Sequence, residues 1–378
     1  MSQILVSYVT AGSGHRLASE AIAAAIRRID PSADVLCEDF LTHVPPWLRR
    51  SYPSCYEWAV RYAPWLWGAV YRLFDAPLGY WLIQPWRRMW NGVMGMAAVR
   101  AAQQQPPDAI VTTHFFPADV YAQAKRAGGL RARLIIVVTD LFPHRLWLAP
   151  EAEQFAIGSE RTAQVCRQRG VGGHRLRVTG IPIHAAFRRL KPVEQAALKQ
   201  RFGLEGTRRT MLIASGGMGV GPIEQLTTRL AALEATRPGR LQLLVVCGHN
   251  QDLERRLTAL AHKVAMPMRV FGFIETMPEL MAVSDLLVSK PGGLTMAEAM
   301  AMGLPMVLCG TIPGQEELNA EELVRHGAGV KANDVEEALA WIERLCEDPQ
   351  RLAAMREQAL AWGRPHAADE IAKLVLDV

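Results

Sequence analysis

Hydrophobic periodicity switches between two and about 3.6 residues almost without interruption along this chain, and that alternation restricts it to a fold built on parallel sheets. Residues 4–9 form a strand pattern. Leu17, Ala18, Ala21, Ile22, Ala25, Ile26 and Ile29 follow at helix spacing, and residues 33–37 are again a strand, which makes a βαβ unit. Strand runs at 109–113, 134–138 and 154–157 extend a first sheet that closes near 178–182. A second series runs through 210–214, 241–246, 268–271, 286–289 and 305–308, each run followed by a glycine-containing loop and a helical period. At 378 residues the chain has length for two domains. The pattern predicts an α/β protein of two Rossmann-like domains facing each other across a cleft. The N-terminal domain covers 1–188, the C-terminal domain 189–362, and a terminal helix within 363–378 packs back on the first domain. The polar stretch from Pro182 to Pro192, bounded by prolines, is the expected linker.

One segment breaks the alternation. Between positions 45 and 96 lie seven of the ten tryptophans, Trp47, Trp58, Trp65, Trp67, Trp81, Trp86 and Trp90, with Arg49, Arg50, Arg61, Arg72, Arg87 and Arg88 against only Glu57 and Asp75. The formal net charge of +5 is unevenly placed to match: residues 1–190 hold 22 Lys/Arg and 13 Asp/Glu. Indole rings favour the headgroup boundary of a bilayer and guanidinium groups pair with lipid phosphates. The longest uncharged apolar stretches here, 62–71 and 76–86, fall well short of a membrane span, and Pro77 and Pro85 interrupt the second. The segment therefore reads as an insertion that lies on an anionic membrane surface, with Trp58, Trp65, Trp67, Trp81, Trp86, Arg87 and Arg88 as its acceptor-side and membrane-facing residues. Nucleic acid is not an expected partner, because the aromatics sit on no strand platform and no RNA- or DNA-binding motif occurs. Cys37, Cys55, Cys166, Cys247, Cys309 and Cys346 are scattered without C-x-x-C or His at ligand spacing, which implies reduced thiols, a cytoplasmic setting and no structural metal. The chain opens directly on a strand pattern, with no signal-peptide signature.

Chemistry concentrates in the loops that follow strands, where α/β proteins bind ligands. The first strand ends in Thr10-Ala-Gly-Ser-Gly-His15. The glycines resemble a dinucleotide fingerprint, but Leu17 occupies the third glycine position and weakens it. His15, just past the strand, is the candidate general base. In the second domain Ser289-Lys-Pro-Gly-Gly293 lies between a strand and a helix. Gly292, Gly293 and the N–H groups near Thr295 form an expected pyrophosphate cradle, Lys290 supplies a cation, and Glu298 one turn later can bind both ribose hydroxyls. The loop Ile312-Pro-Gly-Gln-Glu-Glu-Leu-Asn319 places Gln315, Glu316 and Asn319 where sugar hydroxyls need partners.

Jointly these segments resemble the monogalactosyldiacylglycerol synthases and bacterial diacylglycerol glucosyltransferases. The matching motifs are Gly12-Ser-Gly-His-Arg-Leu-Ala-Ser19, Val138-Thr-Asp-Leu-Phe-Pro-His144 with Trp147, Val178-Thr-Gly-Ile-Pro-Ile183, Ser215-Gly-Gly-Met-Gly219, Val246-Cys-Gly-His-Asn250, Phe271-Gly-Phe273, Lys290-Pro-Gly-Gly293 and Pro313-Gly-Gln-Glu-Glu-Leu-Asn319. The resemblance spans nearly the whole chain. It implies the GT-B fold and an inverting transfer of glucose or galactose from a UDP-sugar to diacylglycerol, on the cytoplasmic face of a membrane and without a metal or other cofactor. It also implies His15 as base and adds Gly216, Gly217, Gly248 and Phe273 to the donor site, with Phe273 beside the uracil. Lys-Pro-Gly-Gly is closer to the bacterial glucosyl branch than to the plant galactosyl branch, whose loop usually reads Lys-Ala-Gly-Pro-Gly, and Ser13 stands where Gly or Asn is commoner. Asp140 and His114 are the candidates for orienting His15. A lipid-linked N-acetylglucosaminyltransferase, a UDP-sugar 2-epimerase and a non-catalytic lipid-binding protein are the alternatives.

Overall fold

The computed structural model describes residues 2–10 and 12–377. Its contacts divide the chain into two units. The first comprises 1–185 with the segments 312–318 and 364–378, and the second comprises 186–311 and 319–363. Segment 312–318, expected in the C-terminal domain, thus groups with the first unit.

The first unit runs β1 (Gln3–Tyr8), α1 (Gly14–Ile29), β2 (Asp34–Asp39), α2 (Pro46–Tyr62), α3 (Pro64–Asp75), α4 (Pro77–Met94), α5 (Met96–Gln104), β3 (Ala109–Thr112), α6 (Phe115–Arg126), β4 (Arg133–Val137), β5 (Gln154–Ile157), α7 (Glu160–Gln168) and β6 (Leu176–Val178). Its six strands are parallel in the order β2-β1-β3-β4-β5-β6. Both faces are covered over the inner strands, which are therefore mostly apolar and send alternate side chains into two cores, whereas the edge strand β2 (DVLCED) is half exposed. Leu5, Ile110, Leu134, Ile136 and Phe155 enter one core with Tyr121 of α6. Ile4, Val6, Val111, Ile135 and Val137 enter the other with Ala21, Ile22 and Ile26 of α1.

The second unit runs α8 (Pro192–Arg201), β7 (Arg209–Ala214), α9 (Ile223–Thr236), β8 (Leu241–Val246), α10 (Gln251–Ala261), β9 (Met268–Phe271), α11 (Met277–Val283), β10 (Leu286–Ser289), α12 (Gly293–Met302), β11 (Met306–Leu308), α13 (Gln315–Arg325), β12 (Gly329–Lys331), α14 (Val335–Glu347) and α15 (Pro349–Trp362), the first residues of α13 belonging to the first unit. Its sheet, also parallel, has the order β12-β11-β10-β7-β8-β9. β12 was not expected: Gly329-Val-Lys331 sets a single Val between a Gly and a Lys and offers no apolar run to read. The last helix, α16 (Ala367–Leu376), returns to the first unit, where Ala368, Ile371, Ala372 and Val375 join the core of α1. Ion pairs Arg28–Asp369 and Arg133–Asp377 flank it.

The tryptophan-rich insertion forms α2, α3 and α4, each opened by a proline at the first turn, where no intrahelical N–H is needed. Two carboxylates, the half-buried Asp75 and the buried Asp119, tie it to the domain. Asp75, at the end of α3, accepts both arms of Arg169 at 2.7 Å, and the Arg145 backbone N–H at 2.9 Å. Asp119 of α6 accepts Asn91 and Gln123 side-chain amides at 2.7 Å each and pairs with Arg87 at 3.0 Å. Burial alone would raise the Asp75 carboxyl, but the Arg169 fork and the Arg145 N–H hold it below its ordinary value. Its stabilisation is therefore complete at neutral pH and is lost as pH falls through that depressed value. Asp75→Ala should cost on the order of 2–4 kcal/mol by stranding Arg169, read as a lower urea midpoint. Arg88→Ala, on an exposed position of α4, should shift stability by less than about 0.5 kcal/mol.

Candidate active site

β1, β3 and β4 are neighbours in the middle of the first sheet, so their carboxyl ends bring three segments together. His15 is the second residue of α1, and its Nδ1 lies 2.6 Å from the Thr113 carbonyl oxygen. A carbonyl only accepts, so Nδ1 carries the hydrogen and Nε2 keeps its lone pair. Thr139 Oγ1, 3.2 Å from the same Nδ1, shares that hydrogen. Thr113 is itself fixed, its hydroxyl donating to the His15 carbonyl at 3.0 Å and meeting Ser19 Oγ at 2.9 Å. His114 stands edge-on to His15 with ring centres 4.7 Å apart, and Trp147 lies at 6.2 Å. Burial in these surroundings pushes the His15 pKa down to about 4, against the raising effect of the Thr113 bond. The ring is thus a neutral base at pH 7.

Neither expected orienting residue makes the bond that fixes the tautomer. His114 spends its Nδ1 on the Phe116 N–H as the cap of α6. Asp140 lies close enough to Tyr56 and Tyr71 for its charge to reinforce burial in raising both phenols. The orienting group is a backbone carbonyl, which any residue at 113 would supply and which no side-chain pattern reveals.

In the second unit three glycine-rich turns follow β7, β8 and β10. A Cβ on Gly248 would stand 2.3 Å from the Gly217 carbonyl oxygen, and one on Gly219 2.0 Å from that of Cys247, so the first two turns meet backbone to backbone. The His249 N–H donates to the Gly217 carbonyl at 2.8 Å. The His249 ring stacks on Phe273, 4.2 Å apart and 8° from parallel, and Phe273 is 41% exposed. The third turn caps α12 with Gly292. The N–H groups of the first turn of α12 have no helical acceptor and carry the positive end of the helix dipole. Lys290 Nζ and Thr295 Oγ1 each lie 3.9 Å from the position a Gly292 Cβ would take, and Lys290 Cε lies 3.4 Å from that of Gly216. Cation, hydroxyl and N–H groups therefore border one space kept open by glycines, a setting suited to phosphate oxygens. Glu298 is only 7% exposed, and burial pushes its carboxyl up to about 8. Asn319, fully buried, donates to the Pro291 carbonyl at 3.1 Å and braces this turn from α13.

Gln315 and Glu316 open α13 within the first unit. Gln315 is half-buried, whereas Glu316 is buried with Oε2 accepting the Ile312 N–H at 3.0 Å, which shapes the loop. Among the described residues no group of three or more His, Cys, Asp or Glu is arranged to hold a metal ion.

The insertion presents its aromatics outward. Of seventeen exposed large apolar side chains among the described residues, thirteen lie between Trp47 and Met96, with Trp65 at 72% and Trp81 at 70%. Trp58 and Trp86 are also exposed, as is Arg88. Two expected surface residues turn inward. Trp67 packs edge-on against Tyr56 at 5.2 Å, and the Arg87 side chain, 13% exposed, pairs with Asp119, because α4 needs a cation opposite that carboxylate. Besides Thr113, sequence reasoning assigned no role to Thr139 or His249, although both stand within the motifs that carry the resemblance. The stack of His249 on Phe273 joins positions 24 apart in the chain, which no local pattern reveals.

Residues 15–183 match the model of monogalactosyldiacylglycerol (MGDG) synthase, and residues 210–374 match that of the glycosyltransferase family 28 C-terminal domain. A processive diacylglycerol beta-glucosyltransferase of Bacillus cereus is 32% identical over 275 residues, covering 72% of this chain and 69% of that protein. Among solved structures, Acinetobacter baumannii MurG superposes with a TM-score of 0.66 at 15% identity, and Anabaena Alr3699/HepE in complex with UDP-glucose with 0.58 at 17%, each covering 100% of both chains. Those two likenesses establish the GT-B arrangement of paired Rossmann-like domains, and the glycine turns, capped helix and histidine described above occupy its strand ends. Together the two family matches and the Bacillus relative show that this chain belongs to the family of the monogalactosyldiacylglycerol synthases and bacterial diacylglycerol glucosyltransferases, with a family 28 glycosyltransferase C-terminal domain.

Proposed function

We propose that the protein transfers a hexose from a UDP-sugar to the free hydroxyl of diacylglycerol, with inversion at the anomeric carbon. The observation that carries this is the His15 Nδ1 bond to the Thr113 carbonyl, which leaves a neutral Nε2 lone pair at the carboxyl edge of the sheet. In the proposed step the diacylglycerol oxygen attacks C1 of the sugar as the C1–O bond to UDP breaks. The hydroxyl proton passes to Nε2, and the bonding electrons leave with UDP. The first turn of α12 and Lys290 meet the charge on the departing phosphate, as fixed donors aimed at developing charge do. Gly216, Gly217, Gly292 and Gly293 let the diphosphate approach the backbone, Thr295 offers its hydroxyl, and Gly248 lets the second turn close on the first. Glu298 receives the ribose, the Phe273 and His249 pair receives the uracil, and Gln315 receives the sugar, with Glu316 and Asn319 shaping its surroundings. No metal is assigned a role. The Bacillus relative's name and the Lys290-Pro-Gly-Gly293 turn favour glucose over galactose.

The exposed aromatics of α2–α4 support attachment to an anionic membrane surface, where this acceptor resides. No described helix is long and apolar enough to cross a bilayer. The free cysteines favour the cytoplasmic face, which is reducing.

Incubation with vesicles of diacylglycerol and anionic lipid, UDP-glucose or UDP-galactose, and EDTA should yield hexosyl-diacylglycerol by mass spectrometry. Product that appears only after a divalent metal is restored would refute the metal-free scheme. His15→Ala should lower kcat by about 10² to 10⁴ while UDP binding persists. Because the active base is the unprotonated ring, kcat/KM should hold level from neutral pH downward and fall only as pH drops through about 4. A midpoint near 6.5 would contradict the buried setting of His15. Co-sedimentation with anionic vesicles should weaken as salt rises from low to physiological strength, and Trp65→Ala with Trp81→Ala should weaken it at every salt concentration.

A further inference from the structure

α3 has a second face besides its exposed aromatic one. Gly68, Tyr71 and Arg72 stand at i, i+3 and i+4, the spacing that lines up side chains on a helix, and all three meet the loop that opens α13. A Cβ on Gly68 would lie 2.6 Å from Pro313 Cβ, and one on Gly314, whose φ is +106°, 3.0 Å from Tyr71 Cδ1. Arg72 Nη2 lies 3.5 Å from Glu317 Oε2. The loop is closed on itself, with the Ile312 N–H donating to Glu316 at 3.0 Å and the Gly314 N–H to Glu317 at 3.1 Å, so a contact at Pro313 or Gly314 is transmitted to Gln315. These contacts are why 312–318 groups with the first unit. Glycine inside a helix is disfavoured relative to alanine, so position 68 forgoes helix stability where the loop presses closest.

We propose that Gly68, Tyr71 and Arg72 are positioning residues for donor recognition. α3 holds the 312–318 loop so that Gln315 reaches the sugar of the UDP-sugar, and the helix that exposes Trp65, Leu66 and Leu73 is thereby the one that sets the sugar-binding loop. This rests on the assignment of Gln315 to the sugar made above.

The test uses the full chain on diacylglycerol vesicles and reads three quantities: KM for the UDP-hexose, the inhibition constant of UDP, and vesicle binding. Gly68→Ala and Tyr71→Ala should each raise KM about 3- to 10-fold, the worth of one or two hydrogen bonds. UDP inhibition and vesicle binding should stay within about twofold, because the uridine diphosphate is held elsewhere. Tyr71→Phe, which keeps the ring against Gly314, should restore KM. Gln315→Ala should give the same signature as Gly68→Ala. An unchanged KM in Gln315→Ala would remove the assignment of that residue to the sugar, and the proposal with it. A raised KM in Gln315→Ala beside unchanged values in Gly68→Ala and Tyr71→Ala would overturn the coupling alone. So would a loss of UDP affinity in step with KM, the mark of general distortion. If Gly68→Ala does not fold, the Tyr71 pair decides.

Discussion

Parallel pairing obliges every strand of a sheet to end at the same edge, and each chemical feature of this protein follows from that constraint. In the first sheet it sets the ends of β1, β3 and β4 side by side, so a helix-borne histidine, a backbone carbonyl and a threonine hydroxyl from positions 15, 113 and 139 share one hydrogen. In the second it aligns the turns after β7, β8 and β10, so that Gly248 presses on Gly217 and Lys290 reaches toward Gly216. The apolar strands are the condition for both: with each face buried under helices, the polar work is confined to the edge.

The insertion of α2–α4 solves a different problem. A hydrophobic outer face of this size would be an aggregation hazard unless another surface covers it, and a helical layer so exposed needs firm attachment on its inner side. Asp75 and Asp119 provide it, each meeting an arginine and further N–H donors, so that neither carboxylate is buried unpaired. Arg87 shows how composition can mislead here. Six arginines against two acids suggested a uniformly cationic outer surface, yet one of the six faces inward to balance a buried aspartate on a neighbouring helix.

The regular alternation of periods made the two sheets, their strand contents and the returning last helix legible from residues alone. What escaped either had no apolar run, as with Gly329-Val-Lys331 of β12, or was carried by groups without side-chain identity. His15 could be picked out, since an imidazole after a glycine turn is conspicuous, but the carbonyl that orients it belongs to the backbone. The glycines could be picked out because only glycine permits those approaches. Glu316 and Asn319 stand out as partners for sugar hydroxyls, although their polar groups brace the loops more than they face outward. Segment 312–318 was placed by its position in the chain, whereas Pro313 and Gly314 pack against α3, a contact between residues some 245 positions apart that no local pattern encodes.

The central claim is that His15 is held as a neutral base with its proton on Nδ1. Nitrogen NMR of the protein with labelled histidine, compared with His15→Ala to assign the signals, reads tautomer and titration together. The spectra should show an Nδ1–H imidazole at pH 7 that takes up a proton only as pH approaches about 4. A His15 ring protonated near pH 6.5, or one carrying its hydrogen on Nε2, would contradict it.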